Sequence, residues 1–305
     1  MRISTSLLFR QGVNAIQKQQ TGVAKTQLQV ATGKRILTPA DDPVGAKRVL
    51  DLNELLTLNG QYQRHAEAAT RRLALEDTAL EGIGNVLQRV RELTIQGHNG
   101  AYTDSDRQAI AAEVAERLDE LLGLANSQDG NNEYLFAGDK VQTQPFARAA
   151  GGGFVYSGDN GQRQLPIGPG YQVAVGDPGS TVFNIPNGNV FQSVQNLIDA
   201  FHSSTGDEAG RARLSNEVNR ALSDLDQALE NVRRVRAGVG ARLNAIDNEK
   251  QANEDFSLHL KERLSQVQDL DYAEAISRLN QQLAGLQAAQ QSFVRLQNLS
   301  LFNFL

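Results

Sequence analysis

The sequence predicts a mainly α-helical rod, formed by the N- and C-terminal parts of the chain, with a small β-rich domain inserted in the middle. Three observations lead there. Apolar residues recur at alternating spacings of three and four near both ends and along the segments next to them, which is helical, coiled-coil-like periodicity. Five of the seven prolines fall between 130 and 189, among dense glycines, which is strand-and-turn chemistry. Aromatic residues make up only 6% of the 305 residues and tryptophan is absent, which suits cores of Leu, Ile, Val and Ala better than a deep ligand pocket.

Near the start, Val13, Ile16, Gln20, Val23, Gln27 and Val30 line one helix face. Thr32-Gly33-Lys34 interrupts that face. Asp42 directly before Pro43 is a helix start, an N-cap acid followed by proline in the first turn. From 43 to about 95 the chain reads as one long helix, with Leu73, Leu80, Ile83, Leu87 and Val90 in phase and Gly82 and Gly84 as weak points. After a turn at Gly97-His98-Asn99-Gly100, Asp104 is expected to cap a second helix carrying Ile110, Val114, Leu118 and Leu121.

Within 130–189, Glu133-Tyr134-Leu135-Phe136 and Phe154-Val155-Tyr156 read as short strands, and Asp159-Asn160-Gly161 as a hairpin turn. Helix resumes with Phe191, Val194, Leu197, Ile198 and Phe201. A longer one follows through Leu214, Val218, Leu222, Leu225, Leu229, Val232, Leu243 and Ile246. The last heptads place Ile276, Leu279, Leu283, Leu286, Gln290 and Phe293 on one face, with Leu296 and Leu299 continuing out of strict phase. The expected partition is terminal coiled-coil assembly segments at 1–42 and 270–305, a helical rod at 43–129 and 190–269, and the β-rich insertion at 130–189.

The formal net charge of −5 is unevenly spread. Residues 1–40 hold Arg2, Arg10, Lys18, Lys25, Lys34 and Arg35 and no acid; 276–305 hold Arg278 and Arg295 and no acid; the body between is acidic. Basic ends fit solvated tails, or a membrane or nucleic-acid surface. The reading preferred here is crowding by neighbouring subunits, because both ends are also rich in glutamine, which costs far less to desolvate than a charge. A helix carrying Val13, Ile16 and Val23 lacks the Trp, Phe and Leu that insert well into bilayers.

Several chemistries are excluded or unsupported. With no cysteine there is no disulfide scaffold, thiol catalysis or Cys-ligated zinc. No run approaches the roughly 20 apolar residues of a membrane span, and Leu7-Leu8-Phe9 is too short for a secretory leader. His65, His98, His202 and His259 are scattered, with no second histidine at ligand spacing, so no metal is expected. Neither Gly151-Gly152-Gly153 nor Gly168-Pro169-Gly170 leads into a phosphate-binding helix; both are turn glycines. Val155 and Ser157 stand where an EF-hand before Asp159 would need ligands. No catalytic set and no cofactor are expected.

Interaction chemistry remains. The chain ends in Leu299-Ser300-Leu301-Phe302-Asn303-Phe304-Leu305, apolar at five of seven positions. Such an end either tucks back on its own core or is buried by a partner, and the heptads leading into it favour a partner. Val13, Ile16, Val23, Val30, Ile276, Leu279, Leu283, Leu286, Phe293, Leu296, Leu299, Phe302, Phe304 and Leu305 are therefore the expected assembly interface.

Four motifs, in order along the chain, resemble the flagellar hook-associated protein 3 family, the hook–filament junction branch of the flagellin-like superfamily. They are Met1-Arg2-Ile3-Ser4-Thr5; Ala31-Thr32-Gly33-Lys34-Arg35-Ile36 running into Thr38-Pro39-Ala40-Asp41-Asp42-Pro43; Tyr134-Leu135-Phe136-Ala137-Gly138; and Ser300-Leu301-Phe302-Asn303-Phe304-Leu305. The likeness covers both ends and the entry to the β insertion; most of 140–275 matches by pattern alone. It implies a non-enzymatic, extracellular subunit of the bacterial flagellum that forms a ring between hook-associated protein 1 and the flagellin filament. It also implies export through the flagellar type III apparatus and an export chaperone. Flagellin is the alternative, sharing the helical ends and the export route. However, Ile3-Ser4-Thr5-Ser6 departs from the Ile-Asn-Thr-Asn opening of flagellins, and flagellins lack the Phe302-Asn303-Phe304-Leu305 type of ending.

Overall fold

The computed structural model describes residues 5–301 (side chains at 7 and 9–295). Long helices flank short strands: α1 (Thr5–Thr32), α2 (Pro43–Gly97), α3 (Asp104–Ala125), β1 (Phe146–Arg148), β2 (Phe154–Tyr156), β3 (Gln164–Gly168), β4 (Tyr171–Ala174), α4 (Gly179–Phe183), β5 (Asn184–Ile185), β6 (Gly188–Asn189), α5 (Val190–His202), α6 (Glu208–Gln268) and α7 (Tyr272–Leu301). The predicted mainly helical class with a small strand-containing middle is what the chain adopts. It divides into two compact units, Met1–Leu58 with Asp255–Leu305, and Asn59–Glu254.

The 59–254 unit holds the main core. Leu73, Leu80 and Leu87 of α2 recur every seven residues, as do Val218, Leu225, Val232, Val239 and Ile246 of α6, and all are buried. Ile110, Val114, Leu118 and Leu121 of α3 join them, so each helix turns one apolar stripe inward. The glycines that looked like weak points in α2 do not break it. Gly82 instead gives room to Leu124, whose side chain lies 3.2 Å from where a Cβ would stand, and Gly97 does the same for the ring of Phe201.

The cap of α3 differs from expectation by one residue. Thr103 is the N-cap: its Oγ1 accepts from the Asp106 N–H (3.3 Å) while the Asp106 carboxylate accepts from the Thr103 N–H (2.9 Å). Asp104 follows it and accepts from the Thr205 hydroxyl (2.6 Å) and from Arg107. Those bonds, Thr205 first, hold its carboxyl down at about 2. Thr103→Ala removes one side of a reciprocal cap and should lower unfolding stability by ~1 kcal/mol in urea titrations.

The middle segment folds as three separate antiparallel hairpins, β1·β2, β3·β4 and β5·β6. Two sequence expectations are corrected here. Residues 133–136 form no strand: Tyr134 makes one isolated bridge to Gln128, while Leu135 and Phe136 are simply buried. Asp159-Asn160-Gly161 does not close a hairpin, because β2 and β3 belong to different sheets. Its Asp159 carboxylate accepts from the N–H groups of Asp139 (2.8 Å) and Gly161 (2.9 Å), tying two loops together. Asp-Asn-Gly suits both geometries, since Asp and Asn bond neighbouring backbone wherever the chain turns.

Aromatic packing fixes the β1·β2 hairpin and α4 to helix α5. Phe146 lies 4.9 Å from Tyr156 and 4.8 Å from Phe191, and Phe183 stacks on Phe191 at 5.1 Å. Buried polar groups add to this. Arg72 of α2 reaches Asp129 (2.7 Å), Glu133 (3.2 Å) and the Tyr134 carbonyl (3.1 Å). One turn on, Glu76 accepts from the backbone N–H of Asp177 (2.9 Å), whose carboxylate in turn binds Arg242 of α6.

Candidate assembly interface

The expected assembly residues fall in the unit formed by the chain ends, where α1 pairs with α7. Increasing numbers on α1 meet decreasing numbers on α7: Gly12 faces Phe293, Gln19 faces Gly285, and Gly22 and Thr26 face Gln282. The two helices are therefore antiparallel.

Of the residues expected on α1, Val23 is buried and Val13, Ile16 and Val30 are half-buried. On α7, Leu279, Leu286 and Phe293 are half-buried, and the Phe293 ring lies 5.0 Å from Phe9. Ile276 and Leu283 face solvent, 48% and 37% exposed. Leu296 and Leu299 lie in the last turns of α7, but their side chains are outside the described residues, as are Phe302, Phe304 and Leu305 entirely.

The seam inside one chain therefore runs slightly off the predicted track. On α1 it passes through Gly12, Ile16, Gln19, Val23 and Thr26, leaving Gln20 and Gln27 exposed. On α7 it passes through Ala275, Leu279, Gln282, Leu286 and Phe293. Three glycines make the approach close: a Cβ on Gly12 would stand 2.7 Å from the Phe293 ring, one on Gly285 2.8 Å from Gln19 Nε2, and one on Gly22 3.4 Å from Gln282 Nε2. Across the seam Gln19 Nε2 donates to the Gln282 carbonyl (3.1 Å) and the Thr26 hydroxyl donates to Gln282 Oε1 (2.8 Å). Hydrophobic periodicity missed these residues because none of them is a large apolar side chain. The available signal was a second three-four track through glycine, glutamine and threonine.

Below the seam the two connecting strands of chain are tied to each other. Gly33 takes a positive φ of 69°, which turns the backbone out of α1, and the Leu270 N–H donates to its carbonyl (3.0 Å). The Arg35 N–H donates to the Gln268 carbonyl (2.7 Å), and its guanidinium donates to the Val267 carbonyl (2.9 Å). Asp41 accepts from the N–H groups of Leu37 and Thr38 and pairs with Lys25 at 2.6 Å. Lys25 first, then those backbone donors, hold its carboxyl down at about 2. Asp42 accepts from the Gly45 N–H (2.8 Å), as an N-cap of α2 should. The Asp41-Asp42 pair is thus a turn-and-cap device.

Apolar side chains remain exposed in this unit. Besides Ile276 and Leu283, Val294 of α7 is 53% exposed, and Leu7 and Leu28 of α1 are open to solvent. Among the described residues no three His, Cys, Asp or Glu side chains are grouped to hold a metal ion, and no helix is long and apolar enough to cross a membrane.

The family profile of the bacterial flagellin N-terminal helical region matches residues 3–141, and that of the C-terminal helical region matches residues 222–305. Flagellar hook-associated protein 3 of Salmonella typhimurium is 30% identical, covering 99% of each chain. A flagellin of Listeria innocua is 24% identical, covering 92% of this chain and 90% of its own. The crystal structure of flagellar hook associated protein-3 from Legionella pneumophila superposes with a TM-score of 0.67 at 21% identity, covering 71% of this chain and 98% of that one, which shows the shared fold.

Proposed function

This chain belongs to the flagellar hook-associated protein 3 family, and from that premise we propose that it is the structural subunit joining hook to filament in a bacterial flagellum. The observation that carries the reading is the end-to-end match to hook-associated protein 3, which spans both terminal helices and the strand-containing middle alike. The flagellin match is lower in identity and less complete, so the filament-subunit reading has less support.

In this reading the subunit works by surface contact, without catalysis or cofactor. It passes out through the flagellar type III apparatus with the help of an export chaperone and acts outside the cell. It forms a ring with copies of itself, with hook-associated protein 1 on one side and flagellin on the other. Segments 1–42 and 270–305 serve as the assembly segments, 43–129 and 190–269 as the rod, and 130–189 as the insertion. Ile16, Val23, Leu279, Leu286 and Phe293 hold the terminal pair together, with half-buried Val13 and Val30 beside them. Ile276 and Leu283, with Leu296, Leu299, Phe302, Phe304 and Leu305, meet neighbouring subunits. Solvent-facing Ile276 and Leu283 support that division of labour, because burying each such side chain contributes roughly 1.5–3 kcal/mol.

Deleting the gene tests the proposal. Hooks should still form, filaments should be missing from electron micrographs, and flagellin should accumulate in the medium. Filaments of normal number and length on the deletion strain would overturn it.

A further inference from the structure

We infer that Gln282, hooked onto Thr26, is a specificity determinant of the terminal helix pair, favouring a single antiparallel register of α1 against α7 in addition to the backbone ties at its base. The inference concerns pairing within one chain and stands whether or not that chain joins hook to filament.

The apolar part of the seam cannot choose a register. Ile16, Val23 and Val30 recur every seven residues on α1, and so do Leu279, Leu286 and Phe293 on α7. Sliding one helix by a heptad exchanges aliphatic for aliphatic along most of the seam at similar burial. Such a slide would displace the helices by roughly 10 Å, at 1.5 Å per residue. It would shift the basic residues and the exposed apolar residues of one helix by that distance relative to the other.

The polar and small residues are not interchangeable in this way. Thr26 is 3% exposed, and its hydroxyl donates to Gln282 Oε1 at 2.8 Å. A one-heptad slip in either direction brings Ala275 or Ala289 to the place of Gln282. Neither carries an acceptor, so the Thr26 hydroxyl would lose its partner across the seam. The same slip brings residue 5 or 19 to the place of Gly12, where the Phe293 ring leaves no room for a side chain. Polar positions within a largely apolar seam, specifying alignment at some expense of stability, are a known use of buried polar groups in coiled coils.

The chain has no cysteine, so introduced cysteines report cleanly. In the full-length protein, one pair (Ile16→Cys with Ala289→Cys) samples the observed register. A second (Val23→Cys with Ala289→Cys) samples a one-heptad slip across a loop of similar length. Each is equilibrated in glutathione buffers and its effective concentration measured. The in-register disulfide should exceed the slipped one by at least roughly tenfold, as a hydrogen bond and a steric fit together require. Gln282→Leu should bring the two within a few-fold of each other, with their combined effective concentration maintained. Thr26→Val, which keeps the shape of the side chain, should do the same. Equal disulfides in the parent, or an unchanged preference in both variants, would overturn the inference. So would a fall of both disulfides together, which would mean that Gln282 holds the pair together rather than aligning it.

Discussion

Truncation after Gln291 should abolish incorporation into flagella while leaving the unfolding midpoint of the 59–254 unit unchanged. The deletion removes Phe293, whose ring packs on Phe9 and against Gly12. It also removes the apolar residues that follow. Within the terminal pair, loss of a half-buried phenylalanine costs on the order of 1–2 kcal/mol. Among the described residues, the core of the 59–254 unit, from Leu73 and Val218 to Phe191, contains none of the deleted ones. Stability and assembly should therefore separate. In a ring every subunit would lose the same contacts, so a modest loss per copy is repeated around the structure. Thermal unfolding of the truncated protein, followed by circular dichroism, and electron microscopy of cells producing it give the two readouts. Normal filaments would remove the assembly role of this segment. A large drop in the midpoint would mean that the chain end packs on its own core.

The difference between what was legible in the sequence and what was not follows from the kind of interaction. Long, strictly spaced apolar series were legible: Leu73, Leu80 and Leu87 in α2 and Val218, Leu225 and Val232 in α6 are core residues of long helices as read. Each repeats a local signal many times, so one glycine does not erase it. The terminal seam was half legible. Ile16, Val23, Leu279 and Leu286 belong to both the predicted and the observed tracks, so the helices and their apolar faces emerge. The three-four spacing of the valines and Ile16 points to Gln20 rather than Gln19, and apolarity points to Leu283 rather than Gln282, where close approach and hydrogen bonding decide the seam. Within the middle segment, turn residues marked the connections but not which strands pair; Asp159 ties loops where a hairpin turn was expected.

Least legible was the buried polar cluster on the long helices. Glu76 and Asp177 are 101 residues apart, and nothing near either one in sequence announces the other. Two acids share one nearby base, and that imbalance has a consequence for stability.

Stability of the 59–254 unit should fall as pH rises from about 5 to about 9, and Glu76→Gln should remove most of that slope. Glu76 Oε1 accepts from the Asp177 N–H, while Oε2 is buried without a hydrogen-bond partner. The facing charges are Asp177 and Arg242, and Asp177 already engages Arg242 and the Gln162 amide (2.8 Å). Arg72, one turn earlier on α2, is occupied with Asp129 and Glu133. Burial first, then the Asp177 charge, push the Glu76 carboxyl up to about 8 from 4.5. A group whose folded pKa is raised binds its proton more tightly when folded. Its contribution is thus fully present below the unfolded value and is lost as pH climbs through the folded one. The window runs from 4.5 to about 8. An amide keeps the acceptor for the Asp177 N–H, adds a donor and does not ionise. Urea unfolding of the two proteins should thus give similar stabilities near about pH 5 and favour the variant by a few kcal/mol near about pH 9. A parent and a variant that stay parallel across that range would show that Glu76 does not ionise within it.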